Sequence, residues 1–233
     1  MITAAAVHRR MLTLANPERA RTSQWFFKTG PGQYGEGDRF LGVTVPVLRQ
    51  LTREFEALPL PEIRKLLKSG WHEERSVALL VLVRQYAKAD ARTRAAIYRC
   101  YLGGRAGINN WDLVDCSAPQ IVGAHLSRGG RRFLRDLARS RSLWDRRIAV
   151  LATFHFIKQG QFDDSLAIAR MLLDDREDLI HKAVGWMLRE IGKRDRAVLE
   201  EFLKANGSQM PRTALRYAIE RFPDAVRRTY LAM

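Results

Sequence analysis

The chain has 233 residues, 46% hydrophobic and 28% charged, a make-up that excludes wholesale disorder. Forty Lys and Arg against twenty-five Asp and Glu leave a formal net charge of +15, which points to a polyanionic partner, either nucleic acid or an anionic membrane surface. The longest apolar run, seven residues from Val77 to Val83, is far too short to span a bilayer.

At the N-terminus the apolar stretch Ile2 to Val7 precedes the basic pair Arg9-Arg10, the reverse of a secretory signal's order. The two cysteines, Cys100 and Cys116, make neither a disulfide framework nor a zinc site. A reduced, cytoplasmic protein is expected. Next along the chain, Gly30-Pro31-Gly32-Gln33-Tyr34-Gly35 literally matches GxGxxG. Its context is wrong for a dinucleotide fingerprint: Pro31 lies inside it, no strand pattern leads in, and no βαβ unit surrounds it. With Gly37 and Gly42 nearby, the segment reads as a mobile loop between helices.

Helical periodicity dominates and period-2 alternation is nearly absent. Helices are predicted at 61–68, 71–88, 91–102, 110–126, 130–139, 143–158, 163–173, 178–192, 195–205, 211–221 and 224–231. The breaks carry helix punctuation at Gly103-Gly104, Gly129-Gly130, Gln159-Gly160 and Asn206-Gly207. The expected fold is all-α.

The longer helices overlay as a repeat. Glu74-Arg75-Ser76-Val77-Ala78-Leu79 resembles Arg146-Arg147-Ile148-Ala149-Val150-Leu151, and both resemble the helix starting His181-Lys182-Ala183 and the one at Pro211-Arg212-Thr213. The basic residue advances by 72, 35 and 30, and the helix beginning Asn110-Trp111 fills the double gap. Helix pairs at this period predict an α-solenoid of HEAT-like repeats forming a single domain over residues 1–233; an irregular helical bundle is the alternative. In a solenoid, Arg75, Arg147, Lys182 and Arg212 would form a cationic stripe along a concave basic surface, suited to a duplex phosphate backbone.

The repeat at Trp111-Asp112-Leu113-Val114-Asp115 breaks that stripe with a tryptophan and two carboxylates. Trp111 and Asp115, four residues apart, share a helix face. Two readings of Asp115 are open: a salt bridge to a neighbouring arginine, or stabilisation of an oxocarbenium-like centre on a sugar losing its base. Asp112 reads as a hydrogen-bonding or helix-stabilising residue. Trp144 with Arg147, and Lys182 with Trp186, pair aromatics with cations as nucleic-acid surfaces do. Trp144 is read as a core residue, while for Trp186 core and surface both stay open. His125, His155 and His181 lack metal-ligand spacing and there is no HExxH, so neither a metal nor a cofactor is expected.

Several segments together resemble the bacterial DNA alkylation repair family, the AlkD-type glycosylases built from HEAT-like repeats. They are the loop from Lys28 to Gly42, Asn110-Trp111-Asp112-Leu113-Val114-Asp115, Leu143 to Ala149, Lys182 to Glu190, and Met210 to Ala218. The resemblance implies excision of N7-alkylguanine and N3-alkyladenine from double-stranded DNA by a monomer acting near the nucleoid, without cofactor or membrane. It implies that Asp115 is the catalytic carboxylate, that Trp111 and Trp186 flank the lesion's deoxyribose, and that Arg147 contacts the backbone. It also implies a shallow mode of lesion binding against the protein surface. Asn110 departs from the family's tandem tryptophans. The family also contains DNA binders without glycosylase activity, so a non-catalytic module for branched or damaged DNA is the alternative.

Overall fold

The computed structural model describes residues 2–232. Among them no strand forms, and Arg39 and Trp71 make an isolated parallel bridge. No helix among the described residues is long and apolar enough to cross a membrane. The chain divides into two compact units, Met1–Ile121 and Val122–Met233.

The first unit contains α1 (Ala4–Leu12), α2 (Pro17–Phe26), α3 (Val45–Glu54), α4 (Leu60–Leu67), α5 (His72–Lys88), α6 (Ala91–Gly103) and α7 (Trp111–Asp115). The first three precede every helix expected from periodicity. Their starts are nevertheless written locally: Thr3 caps α1, and Asn16 caps α2 with Pro17 in its first turn. No residue of α2 is buried, so it has no apolar stripe to read. Helix α5 forms the centre of this unit, packing on α3, α4, α6 and α7. Its apolar stretch is an interior helix surrounded on most sides, with Val77, Ala78, Leu79, Val81 and Leu82 wholly buried.

The second unit contains α8 (Ala124–Leu126), α9 (Arg132–Ala138), α10 (Leu143–Ala152), α11 (Phe154–Ile157), α12 (Asp163–Met171), α13 (Asp178–Gly192), α14 (Arg196–Asn206), α15 (Arg212–Ala218) and α16 (Asp224–Leu231). Here α13 is central, packing on α10, α12, α14 and α15. The approach of α15 requires Gly185, where a Cβ would meet the Ala214 carbonyl oxygen at 2.4 Å.

Two predicted helices are interrupted. The 110–126 helix ends at Asp115 and resumes through a π-helical turn, Pro119–Gly123. Pro119 has no N–H to continue the ladder, and the Ser117 hydroxyl donates back to the Leu113 carbonyl. The 143–158 helix breaks at Thr153, whose hydroxyl donates to the Val150 carbonyl at 2.6 Å.

The repeat is visible in hydrogen bonds as well as in helix order. Ser69 Oγ accepts from the Trp71 N–H at 3.0 Å, and Arg75 donates to the Ser69 carbonyl and to Asp38. Ser140 Oγ accepts from the Ser142 N–H at 3.1 Å, and Arg146 donates to the Ser140 carbonyl and to Asp175. Arg75 therefore corresponds to Arg146 rather than Arg147, a spacing of 71 instead of the expected 72. The recurring arginine ties a helix start to the turn before it.

Candidate active site

Trp111 and Asp115 lie together on the half-exposed side of α7, while Leu113 and Val114 between them are fully buried. This short helix is held at its N-terminus by Asn110, which is 0% exposed. The Asn110 side-chain oxygen accepts from the Trp111 N–H at 2.9 Å, and its amide donates to Asp38 Oδ2 at 3.3 Å. The departure at Asn110 is thus a helix cap that also anchors a loop. The Trp111 indole stacks on Phe27 with ring centroids 5.5 Å apart and meets the edge of Phe26.

Asp112 follows the structural reading made from sequence: its Oδ2 accepts from His72 Nε2 at 2.8 Å. The other ring nitrogen of His72 faces Asp38 Oδ2 at 3.1 Å. Asp38 also receives Arg75 at 2.6 Å, Asn109 and Asn110. Burial disfavours the Asp38 anion, yet the His72 hydrogen bond and the Arg75 charge outweigh it and lower its pKa. Burial likewise opposes a charged His72, but the hydrogen bonds to Asp112 and Asp38 raise its pKa to about 9. Close by, burial first and then the negative charges of Asp112 and Asp115 push the Cys116 thiol up.

The second half of loop 28–43 is pinned, which corrects the expectation of a mobile segment there. Asp38 fixes its middle, and the buried Glu73 carboxylate accepts the N–H groups of Leu41, Gly42 and Val43. Gly35 allows the closure: a Cβ there would lie 2.3 Å from the Phe27 carbonyl oxygen. The residues that sequence reasoning missed, Asp38, His72 and Glu73, are all in this network. Their one signal was the polar run His72 to Ser76 opening an interior helix, every member of which is buried.

The predicted cationic stripe is corrected at two positions. Arg75 is 3% exposed and consumed by Asp38 and Ser69, and Arg147 is 4% exposed and donates to the Leu179 carbonyl. These guanidiniums satisfy backbone carbonyls and a buried carboxylate instead of facing solvent. Lys182 is partly exposed and pairs with Asp178 at 2.8 Å; Arg212 is exposed and donates to the Leu231 carbonyl. In the second unit, Lys182 and Trp186 share α13, against which the helices of Arg147 and Arg212 pack. Trp186 is half-buried with its ring 6.0 Å from Phe154. Trp144 is also half-buried, outside the core expected for it. Among the described residues, no group of three or more His, Cys, Asp or Glu side chains is placed to hold a metal ion.

A family model described as DNA alkylation repair enzyme matches residues 7–222. The chain belongs to the DNA alkylation repair enzyme family. No curated protein matches it. A solved structure described as a predicted DNA alkylation repair enzyme from Enterococcus faecalis is similar, with a TM-score of 0.68 and 20% identity. That match covers 90% of this chain and 97% of the other, and it supports the all-α, helical-repeat fold. Membership of the DNA alkylation repair family assigns the chain a role in alkylation repair and points to DNA as its partner.

Proposed function

We propose that this protein is a monofunctional DNA glycosylase that hydrolyses the N-glycosidic bond of N7- and N3-alkylated purines in duplex DNA. It acts as a monomer, with residues 1–233 working as one repeat domain. The observation that carries this reading is Trp111 and Asp115 together on the half-exposed face of a helix fixed at its start by Asn110 and by the His72–Asp112 bond. An alkylated purine already carries positive charge and leaves without protonation. As the C1′–N bond breaks, its electron pair neutralises the base and positive charge moves to the sugar. The Asp115 carboxylate stabilises that charge and accepts a proton from the water that adds to C1′. The products are a free alkylpurine and an abasic site. Trp111, beside Asp115 on α7, holds the deoxyribose, and no metal or organic cofactor takes part. The direct test is release of N7-methylguanine from methylated duplex DNA.

Binding is driven by exposed cations, including Lys182 and Arg212. Affinity is expected to fall with salt at a log–log slope of about −0.9 per phosphate contact, and Arg212→Gln to flatten the slope by about one unit. Arg147→Gln, at a buried position, is expected to lower Tm and leave the slope unchanged. Affinity measured across a salt series checks both. A slope near zero contradicts the DNA-binding reading.

A further inference from the structure

The geometry points to His72, as an imidazolium held between Asp38 and Asp112, as the positioning residue that fixes the Trp111–Asp115 helix for reaction. The inference rests on the glycosylase reading of that helix but stands on its own contacts. His72 Nδ1 lies 3.1 Å from Asp38 Oδ2 and Nε2 lies 2.8 Å from Asp112 Oδ2. A neutral imidazole has one N–H and one lone pair, so against two ionised carboxylates one nitrogen would point its lone pair at an anion. Only the imidazolium donates to both. The ring also stacks on Phe40, with centroids 4.6 Å apart, and lies tilted against Phe27 at 4.8 Å, and aromatic faces favour a cation. Phe27 in turn stacks on Trp111, so the imidazole and the indole touch the same phenyl ring.

The groups facing this ring come from three elements. Asp38 belongs to the 28–43 loop, Arg75 to α5 itself, and Asp112 to α7. Arg75 opposes the histidine charge but is itself neutralised on Asp38. Loss of the proton breaks one of the two bonds and removes the tie from α5 to either the loop or α7. The pKa is raised from 6.5 to about 9, so the lock is complete below neutral pH and is lost as pH rises through about 9. Physiological pH leaves it closed.

The test is 15N NMR of the whole protein with labelled histidine and tryptophan, alongside single-turnover excision at each pH against a DNA-only blank. The His72 nitrogens are expected to report an imidazolium at neutral pH. The Trp111 indole signal and the excision rate should both change with a midpoint of about 9. His72→Gln should remove that transition, flatten the pH profile and slow excision roughly tenfold or more, with DNA affinity unchanged. A merely structural histidine would lower Tm without altering the profile. A neutral His72 at neutral pH, or a Trp111 signal indifferent to its titration, overturns the inference, and both are read on the wild type even where the variant fails to fold. If the wild type releases no base, the glycosylase reading fails while the NMR titration still decides the role of His72.

Discussion

Asp115→Asn is expected to lower the single-turnover excision rate by roughly a hundredfold or more, the scale of losing one preorganised electrostatic group. Asparagine keeps the shape and removes the charge that, on the proposed reading, stabilises the developing oxocarbenium ion. DNA affinity should hold or rise, because an anion facing a polyanion has been removed. Asp115 sits on the half-exposed side of α7, while Asn110, Asp112 and the Trp111 stack hold that helix through other residues. Rate, affinity and Tm measured on one preparation check this together. A full-rate variant of lower Tm would assign Asp115 to a salt bridge instead.

Asp38→Ala is expected to produce a large loss of stability in the first unit. Asp38 is the shared acceptor for His72, Arg75, Asn109 and Asn110, and both it and Arg75 are almost fully buried. Removing it strands a guanidinium and one end of an imidazolium inside the protein. Breaking a buried pair in this way costs about 3–5 kcal/mol, which for a chain of this length lowers Tm by roughly 10 °C. Circular dichroism melting measures it. Restoring the wild-type Tm in a triple variant with Arg75→Met and His72→Leu would locate the cost in the stranded charges; an unchanged Tm in Asp38→Ala itself would mean the network carries no stability.

The helices from residue 60 onward were legible because their ends are chemically marked. Asp90, Ser142 and Asp195 cap α6, α10 and α14 through side-chain bonds to the third following N–H, and glycines sit at the breaks. Trp111 and Asp115 were legible as a pair because four residues is a helical spacing. Helix α2 was not, since it buries nothing and so writes no period. The cationic stripe misled for a related reason: an arginine that clamps the turn before its helix has the same letter as one that reaches for phosphate. Arg75 and Arg146 are told apart from a binding residue by their bonds to Ser69 and Ser140. The lock beneath α7 was hidden because it joins His72 to residues 34 positions before it and 40 after it. Polar letters in a row, from His72 to Ser76, read as a solvated helix start until the tertiary contacts that satisfy them are known.

Base release by the unaltered protein decides whether this chain cuts the glycosidic bond of alkylated purines. Duplex DNA methylated at N7 of guanine is incubated with excess protein in the presence of EDTA, and the small-molecule fraction is analysed. Free N7-methylguanine is expected in a first-order time course well above the DNA-only blank, leaving abasic sites in equal number. Tight binding of the methylated duplex with all of the modified base still in the DNA would contradict it and leave a damage-binding protein in its place.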